Sequence, residues 1–125
     1  MRRTARALLT AAGVPQANLS IALVGDRAIR RLNRIHRGKD RVTDVLSFAG
    51  NAGPQSMLGD IVISLDRAAR QAGGYDASLD AEIRRLLIHG IAHLLGHDHE
   101  RPRDGQRMLR FERKLARAIG LPWPH

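Results

Sequence analysis

Apolar and polar positions divide the chain into short helices and strands, with no internal repeat and no low-complexity tract. Ala7-Leu8-Leu9, framed by Arg6 and Thr10, predicts a short amphipathic helix near the N-terminus. Gly13, Pro15 and Asn18 mark a turn, and residues 20–24 (Ser-Ile-Ala-Leu-Val) predict a strand. Asp26 suits a helix N-cap, with Ile29, Leu32 and Ile35 turned toward a core and the arginines largely outward. Residues 44–48 predict a second strand and residues 50–54 a loop. Residues 60–65 predict a third strand, apolar enough to be central in a sheet. A short helix over 66–72 should stop at Gly73-Gly74. Ser78 then caps a longer helix whose first turn carries Asp80 and Glu82, where the helix dipole favours negative charge. The buried stripe of that helix is Leu79, Ile83, Leu86, Leu87, Gly90 and Leu94. A last helix over 103–119 carries Met108, Leu109, Leu115 and Ile119, before Gly120 and two prolines. At 125 residues this is one α+β domain spanning 1–125, a small mixed β-sheet packed with helices.

The long helix carries the chemistry. Four of the six histidines lie between His89 and His99. His89 and His93 are four apart, which puts both imidazoles on one helix face about a turn apart and within reach of one ion. They lie about a quarter turn from the centre of the apolar stripe, so they border the core. Gly96 can adopt positive φ, stop the helix and let the chain fold back, bringing His99 toward the same face. Three neutral imidazoles suit zinc, and three protein ligands leave an open position, the catalytic arrangement. His97 lies between two of these residues and reads as a proton carrier, a substrate contact or an exposed side chain.

The same spacing fits the H-E-x-x-H-x-x-G-x-x-H pattern of metzincin proteases, so the helix is metzincin-like, with one decisive change. Gly90 stands where those enzymes keep the glutamate that takes a proton from water, and glycine cannot replace it. Peptide hydrolysis by that route is disfavoured, while Lewis-acid chemistry on a carbonyl or phosphoryl oxygen remains open.

Charge points to the partner. Lys and Arg number 21 against 12 Asp and Glu, a net charge of +9 that suits a polyanion. Arg27, Arg30, Arg31, Arg34, Arg37, Lys39 and Arg41 crowd one segment opposed only by Asp40, a candidate phosphate-binding surface. Within it, Arg34, Arg37, Lys39 and Arg41 are the candidate nucleic-acid contacts. Aromatic residues are only 3%, which argues against a base-stacking platform and for contacts to the backbone. With no cysteine, disulfides and thiolate metal sites are excluded and a reducing compartment is permitted. No segment has the roughly 20 apolar residues of a membrane span.

With these residues in view, the chain resembles the YbeY family of metal-dependent endoribonucleases, rRNA maturation factors. Three blocks carry the likeness. Leu32-Asn33 through Arg37, Asp40 and Thr43-Asp44-Val45-Leu46-Ser47-Phe48 resemble the family's L-N-x-x-Y-R-x-x-D-x-P-T-D-V-L-S-F pattern. Leu58-Gly59-Asp60-Ile61-Val62-Ile63-Ser64 resembles its L-G-D-I-x-I-S strand. The run from His89-Gly90 through His93-Leu94-Leu95-Gly96-His97-Asp98-His99-Glu100 resembles its H-G-x-L-H-L-x-G-Y-D-H signature. Four positions depart from the pattern: His36, Val42, Ala92 and His97 stand for tyrosine, proline, leucine and tyrosine. None removes a ligand, while His36 and His97 bear on metal choice or substrate contact.

The resemblance implies a zinc ion on His89, His93 and His99, with Arg37 as the arginine beside the metal. A guanidinium can grip a scissile phosphate in bidentate fashion and stabilise its transition-state charge. The implied activity is single-strand-specific endoribonuclease cleavage in small-subunit rRNA 3′ end maturation and ribosome quality control. The implied partners are ribosomal RNA and the ribosome with its associated proteins, in the cytoplasm, with no membrane. Asp98 and Glu100 either orient a ligand imidazole from behind or stand as exposed acids. Family members begin with an extra strand before the first helix, so the resemblance also implies either a smaller sheet here or a start upstream of Met1. Two other classes stay open: an RNA-binding ribosome-assembly factor whose metal is structural, and, against Gly90, a metallopeptidase.

Overall fold

The fold is organised around one strand buried on both faces. The structure is a computed structural model that describes residues 1–50, 57–74 and 77–123. In chain order its elements are α1 (Arg2–Ala11), β1 (Asn18–Val24), α2 (Asp26–Arg37), β2 (Val45–Ala49) and β3 (Met57–Ser64), then α3 (Leu65–Gly74), α4 (Leu79–Leu94) and α5 (Pro102–Ala118). The sheet order is β1-β3-β2, with β1 parallel and β2 antiparallel to β3. The fold class is therefore α+β with a mixed sheet, as the pattern predicts, and β3 is the central strand. Successive β3 side chains point to opposite faces. Ile61 and Ile63 enter the main core with α1, α3, α4 and α5, while Val62 joins a smaller cluster with Ile29 and Leu46 under α2. Burial on both sides is why this strand reads as a continuous apolar run.

Most predicted elements lie within a few residues of the observed ones, and the exceptions have physical causes. Gly73 and Gly74 do not stop α3 short but form its last two residues. The predicted loop at 50–54 falls, beyond Gly50, outside the described residues. Ile35 is 57% exposed rather than in the core. At 100° per residue, Ile35 sits about 120° around the helix from Ile29, whereas Asn33 is only about 40° away. Asn33 is accordingly buried, with its amide donating to the Arg41 carbonyl at 3.0 Å. Leu79 is likewise exposed, at 42%, because it opens α4 before the helix enters the core.

α4 is capped as predicted, with the Ser78 hydroxyl accepting from the Ala81 N–H at 3.0 Å. Its burial extends beyond the predicted stripe to Glu82, Ile88, Ile91 and Ala92, because β2, β3, α3 and α5 surround it. Glu82 is not a solvated first-turn acid; it is buried and paired with Arg85. No described helix is long and apolar enough to cross a membrane.

Asp26 differs from its expected role. Gly25 is the N-cap of α2, and the Asp26 N–H donates to the Asp66 carboxylate at 2.9 Å. The Asp26 carboxylate instead accepts from the Ser64 hydroxyl at 2.8 Å and from Arg70 at 3.0 Å, tying the start of α2 to the β3–α3 junction. The Ser64 hydrogen bond, then Arg70, hold its pKa below the ordinary 3.8, against the opposing effect of desolvation. A depressed carboxylate contributes stability that is full above its unfolded value and is lost as pH falls through its folded value. The difference in Tm between wild type and Asp26→Asn is therefore expected to be constant near neutrality and to shrink below about pH 3.8. A gap that persists unchanged to the lowest pH at which both variants fold would show that the carboxylate charge is not what matters.

Candidate metal centre

Three imidazoles gather at the C-terminal end of α4. Leu95 is the C-cap, Gly96 takes φ 89°, its N–H donates to the His93 carbonyl at 3.0 Å, and the His97 N–H donates to the Ala92 carbonyl at 3.0 Å. This pair of bonds is a Schellman motif, which needs the left-handed residue that glycine supplies. It reverses the chain so that the His99 ring centroid lies 6.3 Å from that of His89 and 5.9 Å from that of His93, while His89 and His93 are 4.6 Å apart. The Asp98 carboxylate braces the turn by accepting from the His99 N–H at 2.6 Å and the Glu100 N–H at 3.2 Å. Asp98 thus shapes the backbone that carries His99, and among the described residues its carboxylate makes no hydrogen bond to a ring. Glu100 is exposed, and its backbone N–H donates to Asp98. The His97 ring stacks on Phe111, with centroids 4.4 Å apart.

The two helical histidines face each other through Nε2, 3.1 Å apart. Two nitrogens bound at roughly 2.0–2.1 Å to a tetrahedral ion lie about 3.3 Å apart, and three such rings have centroids about 5 Å apart. His89 and His93 therefore stand at ligand spacing, and His99 is roughly 1 Å farther out than that. Among the described residues, no set of three His, Cys, Asp or Glu side chains is already in finished ligand geometry. Three imidazoles are nonetheless a donor set whose chemistry suits a borderline ion, with His99 the ring that stands off ligand spacing. Burial, then the neighbouring His89 and His99, hold the His93 pKa below the ordinary 6.5, against Asp98 and Glu112, which act to raise it. That favours the neutral ring, the form that binds a metal.

Position 90 shows how close the helix lies to the sheet. A Cβ there would meet the Ile61 side chain at 2.9 and 3.0 Å and the Ser47 hydroxyl at 3.1 Å. The glycine is a packing requirement, and a glutamate at this position would run into β3. The Ser47 hydroxyl donates to the Gly90 carbonyl at 3.3 Å, and the Ser47 carbonyl accepts from Arg37 at 2.9 Å. Gly50 and Asp44 bond across to Leu58 and Ser64 of the neighbouring strand. In an antiparallel pair such residues alternate with outward-facing ones, so Ser47 turns its carbonyl to the free edge of β2. Arg37 takes that edge acceptor, with its guanidinium 5.8 Å from the Phe48 ring centroid. His36 packs edge-on against the same ring at 5.1 Å. Two hydrogen bonds thus link Arg37 to the turn of α4 that carries His89.

The other basic residues divide. Arg34 shares an open groove of about 1160 Å³ along α2 with Arg27, Arg30 and Arg31, where Arg30 pairs with Asp40 at 2.9 Å. Lys39 and Arg41 are exposed beyond the end of α2. Sequence reasoning missed Ser47 and Glu112. Glu112 was legible in one respect: it falls four residues after Met108 and three before Leu115, on the buried stripe of α5.

A family profile described as Endoribonuclease YbeY matches residues 1–120. The chain belongs to that family. An Anaeromyxobacter sp. (strain Fw109-5) protein named Endoribonuclease YbeY is 56% identical over 123 residues, covering 97% of this chain and 64% of its own length. A Myxococcus xanthus protein of the same name is 53% identical, covering 94% of this chain and 42% of its own length. The chain thus spans less than two thirds of the length of these relatives. The solution structure of TM1509 from Thermotoga maritima superposes with a TM-score of 0.67 at 25% identity, covering 95% of this chain and 81% of that one.

The packing at position 90 can be tested directly. In a helix interior, Gly→Ala ordinarily gains up to about 1 kcal/mol, but overpacking costs about 1–3 kcal/mol. Gly90→Ala is therefore expected to lower stability by a net ~1 kcal/mol, read as a lower urea midpoint at unchanged m-value. A raised midpoint would mean that the helix has room for a side chain there.

Proposed function

We propose that this chain is an endoribonuclease that hydrolyses phosphodiester bonds in single-stranded RNA, using one zinc ion held by His89, His93 and His99. The observation that carries the reading is the facing Nε2 pair of His89 and His93 with His99 across from it, in a member of a family described as endoribonucleases. A zinc ion bound there would supply Lewis acidity toward a phosphoryl oxygen and acidify a water at the site.

The chain's own groups provide the rest. His93 is kept neutral by burial and so remains available as a ligand. Arg37 has five N–H donors in a planar fork, and the carbonyl of Ser47 holds one end of it. The remaining donors can grip two oxygens of a scissile phosphate and offset the charge that grows in the transition state. Arg34, Lys39 and Arg41 are exposed and would track the backbone of the strand on either side. Position 90 offers no carboxylate and no space for one, which supports phosphoryl rather than peptide chemistry. Within this reading the RNA is small-subunit ribosomal RNA near its 3′ end, the setting is ribosome maturation and quality control in the cytoplasm, and the partners are the ribosome and its associated proteins.

With a single-stranded RNA spanning that end, chelation and His93→Ala should each abolish cleavage. Arg37→Ala should lower kcat by about 10²–10³-fold, the usual loss for one charge-stabilising donor. Lys39→Ala and Arg41→Ala should mainly weaken RNA binding and flatten its salt dependence. Product formation that survives both chelation and His93→Ala would refute the assignment. RNA binding that Arg37→Ala weakens uniformly, with no metal-dependent product, would point instead to an assembly factor.

A further inference from the structure

Glu112 is a carboxylate in the core. It is 7% exposed and sits on the stripe of α5 formed with Met108, Leu115 and Ala116, where an apolar residue would serve packing better. Burying a carboxylate is costly unless it is paired. Its partner is the Nδ1 of His89, at 2.9 Å. Among the described residues, no other carboxylate hydrogen-bonds any of the three clustered rings, since Asp98 is committed to the backbone N–H groups of its own turn.

We propose that Glu112 is the positioning residue of the histidine cluster, fixing the tautomer and ring orientation of His89 so that its Nε2 presents a lone pair toward His93. This inference rests on the reading of His89 and His93 as metal ligands. An ionised carboxylate can only accept a hydrogen bond, so Nδ1 of His89 must carry the proton and Nε2 is left bare. A flipped ring or the other tautomer would give up that bond inside a largely buried pocket, leaving the carboxylate unpaired. The pairing also makes the imidazole a stronger donor to a cation. Because Glu112 comes from α5 and His89 from α4, the pairing forms only once those two helices have docked.

Two measurements on the full chain test this, neither of which depends on activity. Zinc affinity, from competition with a chromogenic chelator, should fall about 10–100-fold for Glu112→Ala. Glu112→Gln, whose side-chain oxygen still accepts from Nδ1, should recover a clear part of that loss. Leu115→Ala removes core volume from the same helix while keeping the Glu112 carboxylate, and should leave zinc affinity unchanged although it lowers Tm. Nitrogen-15 NMR of the metal-free protein should show His89 as the Nδ1–H tautomer in wild type and in Glu112→Gln, and as a mixture in Glu112→Ala. If wild type binds no zinc, the metal reading itself fails. If wild type binds zinc and Glu112→Ala binds it equally well, or Leu115→Ala weakens binding as much, or Glu112→Gln recovers nothing, the positioning role is overturned.

Discussion

The structure depends on how closely α4 approaches the sheet at Gly90. With no Cβ at that position, the helix settles onto Ile61 of the central strand and within reach of Ser47 on its neighbour. That contact sets the rotation of α4 about its own axis. Ile83, Leu86, Leu87 and Ile91 are thereby placed in the core, and His89 and His93 at its margin, partly buried and side by side. A larger residue at 90 would lift or turn the helix and carry both rings with it, because a close-packed interior transmits strain rather than absorbing it.

The same contact explains how a cation from the far side of the sheet is coupled to the site. α2 and α4 lie on opposite faces, so no side chain in the middle of α2 can reach the histidines directly. Arg37 sits at the end of α2, where it can take the outward carbonyl of an edge strand. The Ser47 side chain, carried on the same Cα as that carbonyl, points into the other face and meets Gly90. A strand edge thus joins the two layers. It also satisfies an acceptor that would otherwise stand open at the margin of the sheet.

Around the imidazoles, charge is balanced asymmetrically. Burial and mutual repulsion keep His93 toward its neutral form, while Asp98 and Glu112 pull the other way. The two carboxylates have different structural duties, one on the turn after α4 and the other on α5. Arg27, Arg30, Arg31 and Arg34 of α2 meanwhile line an open groove, where Arg30 pairs with Asp40. A compact histidine cluster beside an extended cationic surface suits a polymeric anion better than a small neutral substrate.

Much of this was legible from residue order alone. The apolar run of β3, the cap at Ser78, the four-residue spacing of His89 and His93 and the turn at Gly96 are local properties, legible within a few residues of chain, and they are found where the pattern places them. Ile35, Leu79 and Asp26 were misjudged because their burial or bonding is decided by what a neighbouring element covers. The pairing of Glu112 with His89, the link from Arg37 through Ser47 to Gly90 and the fit of a glycine against Ile61 join residues from 10 to 43 positions apart. The sequence by itself determined which groups can do chemistry and the local turns that carry them. Only the packing of α4 between β3 and α5 decided that Nδ1 of His89 meets Glu112 and that Arg37 is linked through Ser47 to Gly90, because hydrogen bonds between elements exist only once the elements are docked.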